Sequence, residues 1–320
     1  MALFRTYLLS AGVDNVSIKK RYFTTTKKGN CKMNKTLSLL MIMMLLLTAC
    51  SGLAKEAPKK TILVVSFGTS YNENRALTLD AIEEAIAKRH PDWDVRRAYT
   101  AQTIINILEK RDGLKIDNVI EAMDKLVADG VKELIIQPTL VMPGYEYEDV
   151  VSEVTPYLDK FEKVALGKPL IYYNEDYDAV VDALVSAIAE IGQEDTAVVL
   201  MGHGSHHYAN ATYAALNYVL HAKGYENVFI GAVEGFPTID QVIANVTAFG
   251  AKKVVQYPFM IVAGDHATND MAGDEEDSWN TLFTQAGFEV ENRLVGLAQN
   301  EAIVEIIFTH LDATIKEAGL

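Results

Sequence analysis

The sequence predicts an α/β fold of two similar Rossmann-like lobes whose parallel sheets face a central cleft. Three observations carry that expectation. Short, almost wholly apolar runs alternate with amphipathic helical patterns along residues 61–318. The runs are apolar at consecutive positions, as in strands of a parallel sheet covered on both faces. The chain also repeats itself: Ala128-Asp-Gly-Val-Lys-Glu-Leu-Ile-Ile-Gln-Pro138 is matched by Phe249-Gly-Ala-Lys-Lys-Val-Val-Gln-Tyr-Pro258, and an apolar stretch leads from each to a glycine, Gly144 or Gly264.

The first strand is Thr61–Ser66. Further strands are expected at Trp93–Tyr99, Lys132–Pro138, Lys163–Leu166, Thr196–Met201, Asn227–Gly231, Lys253–Ile261 and Phe288–Leu294. Helical periodicity covers Asn74–Arg89, Ala101–Lys110, Val119–Ala128, Tyr147–Phe161, Tyr177–Ile191, Ala209–Ala222, Ile239–Phe249, Ser278–Ala286 and Glu301–Ala318. Strand-helix alternation of this kind builds parallel, doubly wound sheets. The expected division is a first lobe over 61–192 and a second over 193–320. Ligands of such sheets sit beyond the C-terminal strand ends, so the cleft should be walled by loops beginning at Ser66, Pro138, Gly202 and Pro258.

Residues 1–50 read as a leader rather than as fold. From Met33, the expected start, a short basic segment precedes an apolar run over 37–47, then Leu47-Thr-Ala-Cys50. The run is shorter than the roughly 20 residues of a spanning helix and suits a secretory signal. Leu-Thr-Ala-Cys resembles a bacterial lipobox, which implies lipidation of Cys50 and an exported protein anchored to a membrane by lipid. Residues 51–60 form a polar tether.

Of the 29 Lys/Arg and 43 Asp/Glu, residues 1–50 hold eight and one, leaving a net charge of −21 after Cys50. An acidic body repels nucleic acid and suits metal cations. Both cysteines, Cys31 and Cys50, precede the folded part. A disulfide framework and a thiolate metal site are thereby excluded, and any metal must be held by nitrogen and oxygen.

Four of the seven histidines fall at predicted strand ends: His203, His206 and His207 in Met201-Gly-His-Gly-Ser-His-His-Tyr208, and His266 in Val262-Ala-Gly-Asp-His-Ala267. His266 is the first candidate, with Asp265 and Asp270 nearby. Glu234 ends another strand within Gly231-Ala-Val-Glu234. Imidazole with carboxylate suits a divalent first-row ion; a metal-free Glu–His pair would use the same residues. Two glycine-bearing loops, Ser66-Phe-Gly68-Thr69-Ser70 and Gly202-His203-Gly204-Ser205, precede helices and are expected to approach an anionic ligand through the backbone. Neither carries a nucleotide phosphate motif, so no nucleotide is expected. Ser205 lacks a GxSxG elbow, which argues against a hydrolase.

Val64-Val-Ser-Phe-Gly-Thr-Ser-Tyr71, Arg97-Ala-Tyr-Thr100, Arg111-Asp-Gly113, Met201-Gly-His-Gly204, Gly231-Ala-Val-Glu234, Val262-Ala-Gly-Asp-His-Ala-Thr-Asn-Asp-Met271 and Asp277-Ser-Trp279 resemble, in order, the anaerobic sirohydrochlorin cobaltochelatase family. The likeness covers roughly residues 60–315. It implies a chelatase-like fold and ATP-independent insertion of Co²⁺, or Fe²⁺ in some members, into sirohydrochlorin or a related tetrapyrrole. It also implies a metal site of two histidines and a glutamate, with Glu234 and His266 as the glutamate and one histidine. Leu140 stands where the resemblance implies the second histidine, and leucine neither binds metal nor accepts a proton. Glu146, Tyr145, His203 or His206 would then have to replace it. The alternative function is a non-catalytic lipoprotein that binds haem, a tetrapyrrole or a metal and serves a transporter.

Overall fold

The computed structural model describes residues 59–320; the leader, Cys50 and most of the tether lie outside them. Ala57–Leu320 form one compact unit. Among the described residues no helix is long and apolar enough to cross a membrane.

Among the described residues there are eight strands: β1 (Lys60–Ser66), β2 (Asp94–Tyr99), β3 (Glu133–Pro138), β4 (Lys163–Leu166), β5 (Thr196–Gly204), β6 (Val228–Glu234), β7 (Lys253–Pro258) and β8 (Glu289–Asn292). They form two four-stranded sheets ordered β2-β1-β3-β4 and β6-β5-β7-β8, parallel throughout. The order is the same in both, and so is the register at the repeated proline: Pro138 pairs with Val65 and Pro258 with Met201. The next amide closes the same bond in each half, from Thr139 to Val65 O at 2.8 Å and from Phe259 to Met201 O at 2.7 Å.

The helices are α1 (Ala81–Arg89), α2 (Gln102–Asp112), α3 (Val119–Ala128), α4 (Tyr145–Val154), α5 (Asn174–Ala187), α6 (Ala211–Ala222), α7 (Ile239–Phe249), α8 (Trp279–Gln285) and α9 (Glu301–Glu317). α3 and α7 match their predicted bounds because each starts in a capping box, Asn118 with Glu121 and Thr238 with Gln241, which satisfies the first free amides. The predicted helix Asn74–Arg89 is instead broken by a π-helical turn at Ala76–Asp80.

Period-two alternation explains the apolar strands. On β1, Ile62 and Val64 enter a central core while Leu63 and Val65 face α3 and α4. On β5, Val198 and Leu200 enter the same central core while Ala197, Val199 and Met201 face α7 and α8. The central core, with α5, α6 and α9 in it, therefore joins both sheets.

The last helix leaves its own sheet. α9 packs on α5, β3 and β4, although it follows the second sheet in sequence. A buried hydrogen-bonded pair secures it: His310 Nε2 meets Asp176 Oδ1 at 2.9 Å, and its Nδ1 meets Pro169 O at 2.9 Å. Asp176 Oδ2 also accepts from the amides of Tyr172 (2.8 Å) and Tyr173 (2.6 Å). Burial alone would raise the Asp176 pKa, but the bonds from His310, Tyr173 and Tyr172 outweigh it and hold the carboxyl below its ordinary value. Its stabilisation is therefore present above about pH 4, the unfolded value, and is lost as pH falls through the depressed folded value. Asp176→Ala should cost about 3 kcal/mol at pH 7, because it strands His310 and two amides. Urea unfolding at pH 7 and across pH 5 to 3 measures both effects; an Asp176→Ala protein as stable as the parent would contradict them.

Candidate metal and substrate site

The C-terminal ends of β1, β3, β5 and β7 carry the loops that meet between the lobes. On one side Tyr71 donates to Asp265 Oδ1 at 3.0 Å, and the Asn74 amide donates to Ala263 O. On the other, His207 Nε2 bonds Glu148 Oε1 of α4 at 3.1 Å. Burial, then the bond to Asp265, raises the Tyr71 pKa, so its phenol keeps the proton it donates.

His203 and His266 come together. Their ring centres are 4.6 Å apart with planes at 89°. An imidazole nitrogen binds a first-row ion at about 2.1 Å, so two rings sharing one ion stand about 4.5–5.2 Å apart for angles between 90° and tetrahedral. The observed spacing lies in that range. Each ring is held through Nδ1: His203 to Gly204 O at 2.9 Å, and His266 to Asp270 Oδ2 at 2.7 Å. In a neutral ring that donates through Nδ1, Nε2 carries the lone pair. Glu234, exposed, is on the neighbouring strand with its backbone paired to Gly204. Among the described residues no group of three or more His, Cys, Asp or Glu closes on one point; what is assembled is the imidazole pair.

The sequence placed His203 just past a strand ending at Met201 and Glu234 at the end of another; β5 in fact extends to Gly204, and β6 does end at Glu234. The extension depends on glycine. A Cβ on Gly204, at φ +84°, would lie 1.6 Å from Glu234 O, and one on Gly202 would lie 2.3 Å from the Tyr213 ring. These glycines make room for a neighbouring strand and a tyrosine. Tyr213 OH accepts from the Gly204 amide at 3.2 Å, and burial pushes its pKa to about 12, so it stays neutral.

The Ser66–Ser70 loop is likewise tied inward. Ser66 Oγ lies 2.7 Å from Thr139 Oγ1. Gly68 at φ +101° clears Tyr99, whose ring would sit 2.6 Å from a Cβ. Thr69 Oγ1 accepts from the Tyr71 amide at 3.2 Å, and Ser70 O accepts from Arg111 at 2.7 Å. Ser66, Thr69 and Ser70 are thus each hydrogen-bonded within the protein. Ser205 Oγ accepts from the His207 amide at 3.0 Å, while the His207 ring meets Glu148 and the Ala209 amide; no Ser–His nucleophile pair exists there.

Of the four candidates to replace a histidine at Leu140, His203 is the one that meets His266. Tyr145 packs on His207 instead, 4.8 Å between ring centres. His206 is exposed and Glu146 partly buried. Leu140 itself is 9% exposed, among the core residues. Sequence reasoning missed the two inter-lobe ties, Tyr71–Asp265 and His207–Glu148, since a contact between residues 194 and 59 positions apart leaves no local pattern.

The chain matches the cobalt chelatase (CbiK) family profile over residues 60–316. It is 39% identical over 260 residues to a sirohydrochlorin cobaltochelatase of Salmonella typhimurium, covering 81% of this chain and 98% of that one. It is 31% identical over 259 residues to the sirohydrochlorin cobaltochelatase CbiKC of Nitratidesulfovibrio vulgaris, covering 80% and 91%. The fold is shared with SirB from Bacillus subtilis with Fe³⁺, at TM-score 0.54 and 16% identity over 81% of this chain and 97% of that one. The cobalt complex of the sirohydrochlorin chelatase SirB gives TM-score 0.51 at 14% identity over 81% and 96%. By profile and by identity across nearly all of its folded part, this chain belongs to the cobalt chelatase (CbiK) family.

Proposed function

We propose that this protein inserts Co²⁺ into sirohydrochlorin or a close tetrapyrrole relative without a nucleotide, with Fe²⁺ as the second metal choice. The observation that carries this is the His203–His266 pair, 4.6 Å apart and anchored through both Nδ1 atoms. His203 supplies the imidazole whose absence at Leu140 had argued against catalysis. Two neutral imidazoles hold Co²⁺ without closing its coordination sphere, and Glu234 on the adjacent strand supplies a carboxylate to neutralise it.

The reaction exchanges one Co²⁺ for two pyrrole protons. As the pyrrole nitrogens take the ion, each released imidazole regains its Nε2 lone pair and is a suitable acceptor near neutral pH. The cleft between the two sets of strand-end loops is where the macrocycle would sit. Purified protein mixed with Co²⁺ and sirohydrochlorin, followed by absorbance, tests the proposal. Metallation of many equivalents per protein is expected. Stoichiometric binding without turnover would replace it with the carrier that serves a transporter.

The lipobox-like Leu47-Thr-Ala-Cys50 supports an exported protein held to a bacterial membrane by lipid. Cells fed labelled palmitate should label the parent chain and leave Cys50→Ser unlabelled; equal labelling of both would refute the anchor.

A further inference from the structure

We propose that Asp270 is the positioning residue of His266, setting which imidazole nitrogen faces the incoming ion. The inference rests on His266 being a ligand of that ion. Two carboxylates lie near His266, and they do different work. Asp265, next to it in sequence, spends Oδ1 on Tyr71 (3.0 Å) and Asn269 (2.9 Å). It ties the loop to the other lobe. Asp270 makes one hydrogen bond among the described residues, to His266 Nδ1 at 2.7 Å.

The local backbone produces this pairing. Ala267–Met271 form a π-helical turn that His266 caps; the Ala272 amide reaches back five residues to Ala267 O at 3.2 Å. Ala267 and Met271 are fully buried, which fixes one side of the turn against the core. His266 and Asp270, four residues apart, are left on one face. Their side chains are 36% and 45% exposed, so the pair lies at the surface rather than in the interior.

The chemistry follows from donor counting. A carboxylate only accepts, so Nδ1 must carry the hydrogen and Nε2 the lone pair. A partner of this kind orients a ligating histidine and raises its donor strength. Asparagine at 270 is nearly isosteric but can donate through its amide. The imidazole hydrogen would then move to Nε2, the atom that must bind the ion.

The test is Co²⁺ binding by the purified full chain, without macrocycle, for the parent, Asp270→Asn, Asp270→Ala, Asp270→Glu and His266→Ala. Asp270→Asn should weaken Co²⁺ affinity about 10- to 100-fold, at least as much as Asp270→Ala, and Asp270→Glu should recover part of the loss. At saturating Co²⁺ the visible ligand-field band of Asp270→Asn should keep the parent's shape. Parent-like affinity in Asp270→Asn overturns the inference, because a packing role tolerates the isostere. A reshaped band also overturns it, because Asp270 would then be a direct ligand. His266→Ala binding Co²⁺ like the parent would instead sink the functional reading beneath it.

Discussion

His266→Ala should lower cobalt insertion by about 100-fold or more, and His203→Ala should do the same. In the proposed site each removes one of two nitrogen donors, and the oxygen of Glu234 binds first-row ions less firmly than imidazole does. The base that takes a pyrrole proton goes with it, a contribution of about 10²-fold or more by itself. Both variants should fold. The His203 side chain takes part in one short-range bond, to the carbonyl of the next residue, and His266 is partly exposed. Initial rates of absorbance change at saturating sirohydrochlorin measure the loss, and Co²⁺ titration separates weak metal binding from slow transfer. The informative contrast is Leu140→His. Leu140 is itself only 9% exposed, so a histidine there should leave the rate no higher and lower the stability. A His203→Ala protein with full activity, made faster by Leu140→His, would move the second imidazole to the first lobe.

Gly204→Ala should be the most damaging single-methyl change near the site, costing about 3 kcal/mol or more. Two effects add. Gly204 has φ +84°, a region that costs an L-residue about 1–3 kcal/mol. Its Cβ would also overlap Glu234 O, at 1.6 Å, with the Ala232 Cβ at 2.8 Å. Relief requires β6 to move away from β5, and overpacking of that kind typically costs about 1–3 kcal/mol more. The shift would carry Glu234 with it and disturb the His203 Nδ1 bond to the Gly204 carbonyl. Thermal unfolding and Co²⁺ affinity should therefore fall together. Normal stability with lost binding would mean that the glycine serves ligand approach, as the sequence had suggested.

The glycines mark where legibility ended. Gly68, Gly202 and Gly204 were singled out as points of close approach, and the protein's own residues come close at each. A glycine in sequence records that something comes close, while the identity of that thing is a tertiary fact: here Tyr99, Tyr213 and the Glu234 carbonyl. Leu140 shows a related limit. A resemblance transfers a role to a position, and of the residues the sequence offered in its place only the tertiary structure singles out His203, whose ring stands 4.6 Å from that of His266.

Sequence alone determined the parallel two-sheet architecture, because unbroken apolar strands between amphipathic helices can be buried in few other ways, and because the repeated strand–Pro endings required matching sheets. It also excluded thiolate ligands, since the folded body has no cysteine. Tertiary structure decided which imidazoles meet, which carboxylate orients one of them, and where α9 docks. Those outcomes depend on contacts between residues far apart in the chain, such as His203 with His266 and His310 with Asp176, where geometry rather than local periodicity selects the partner.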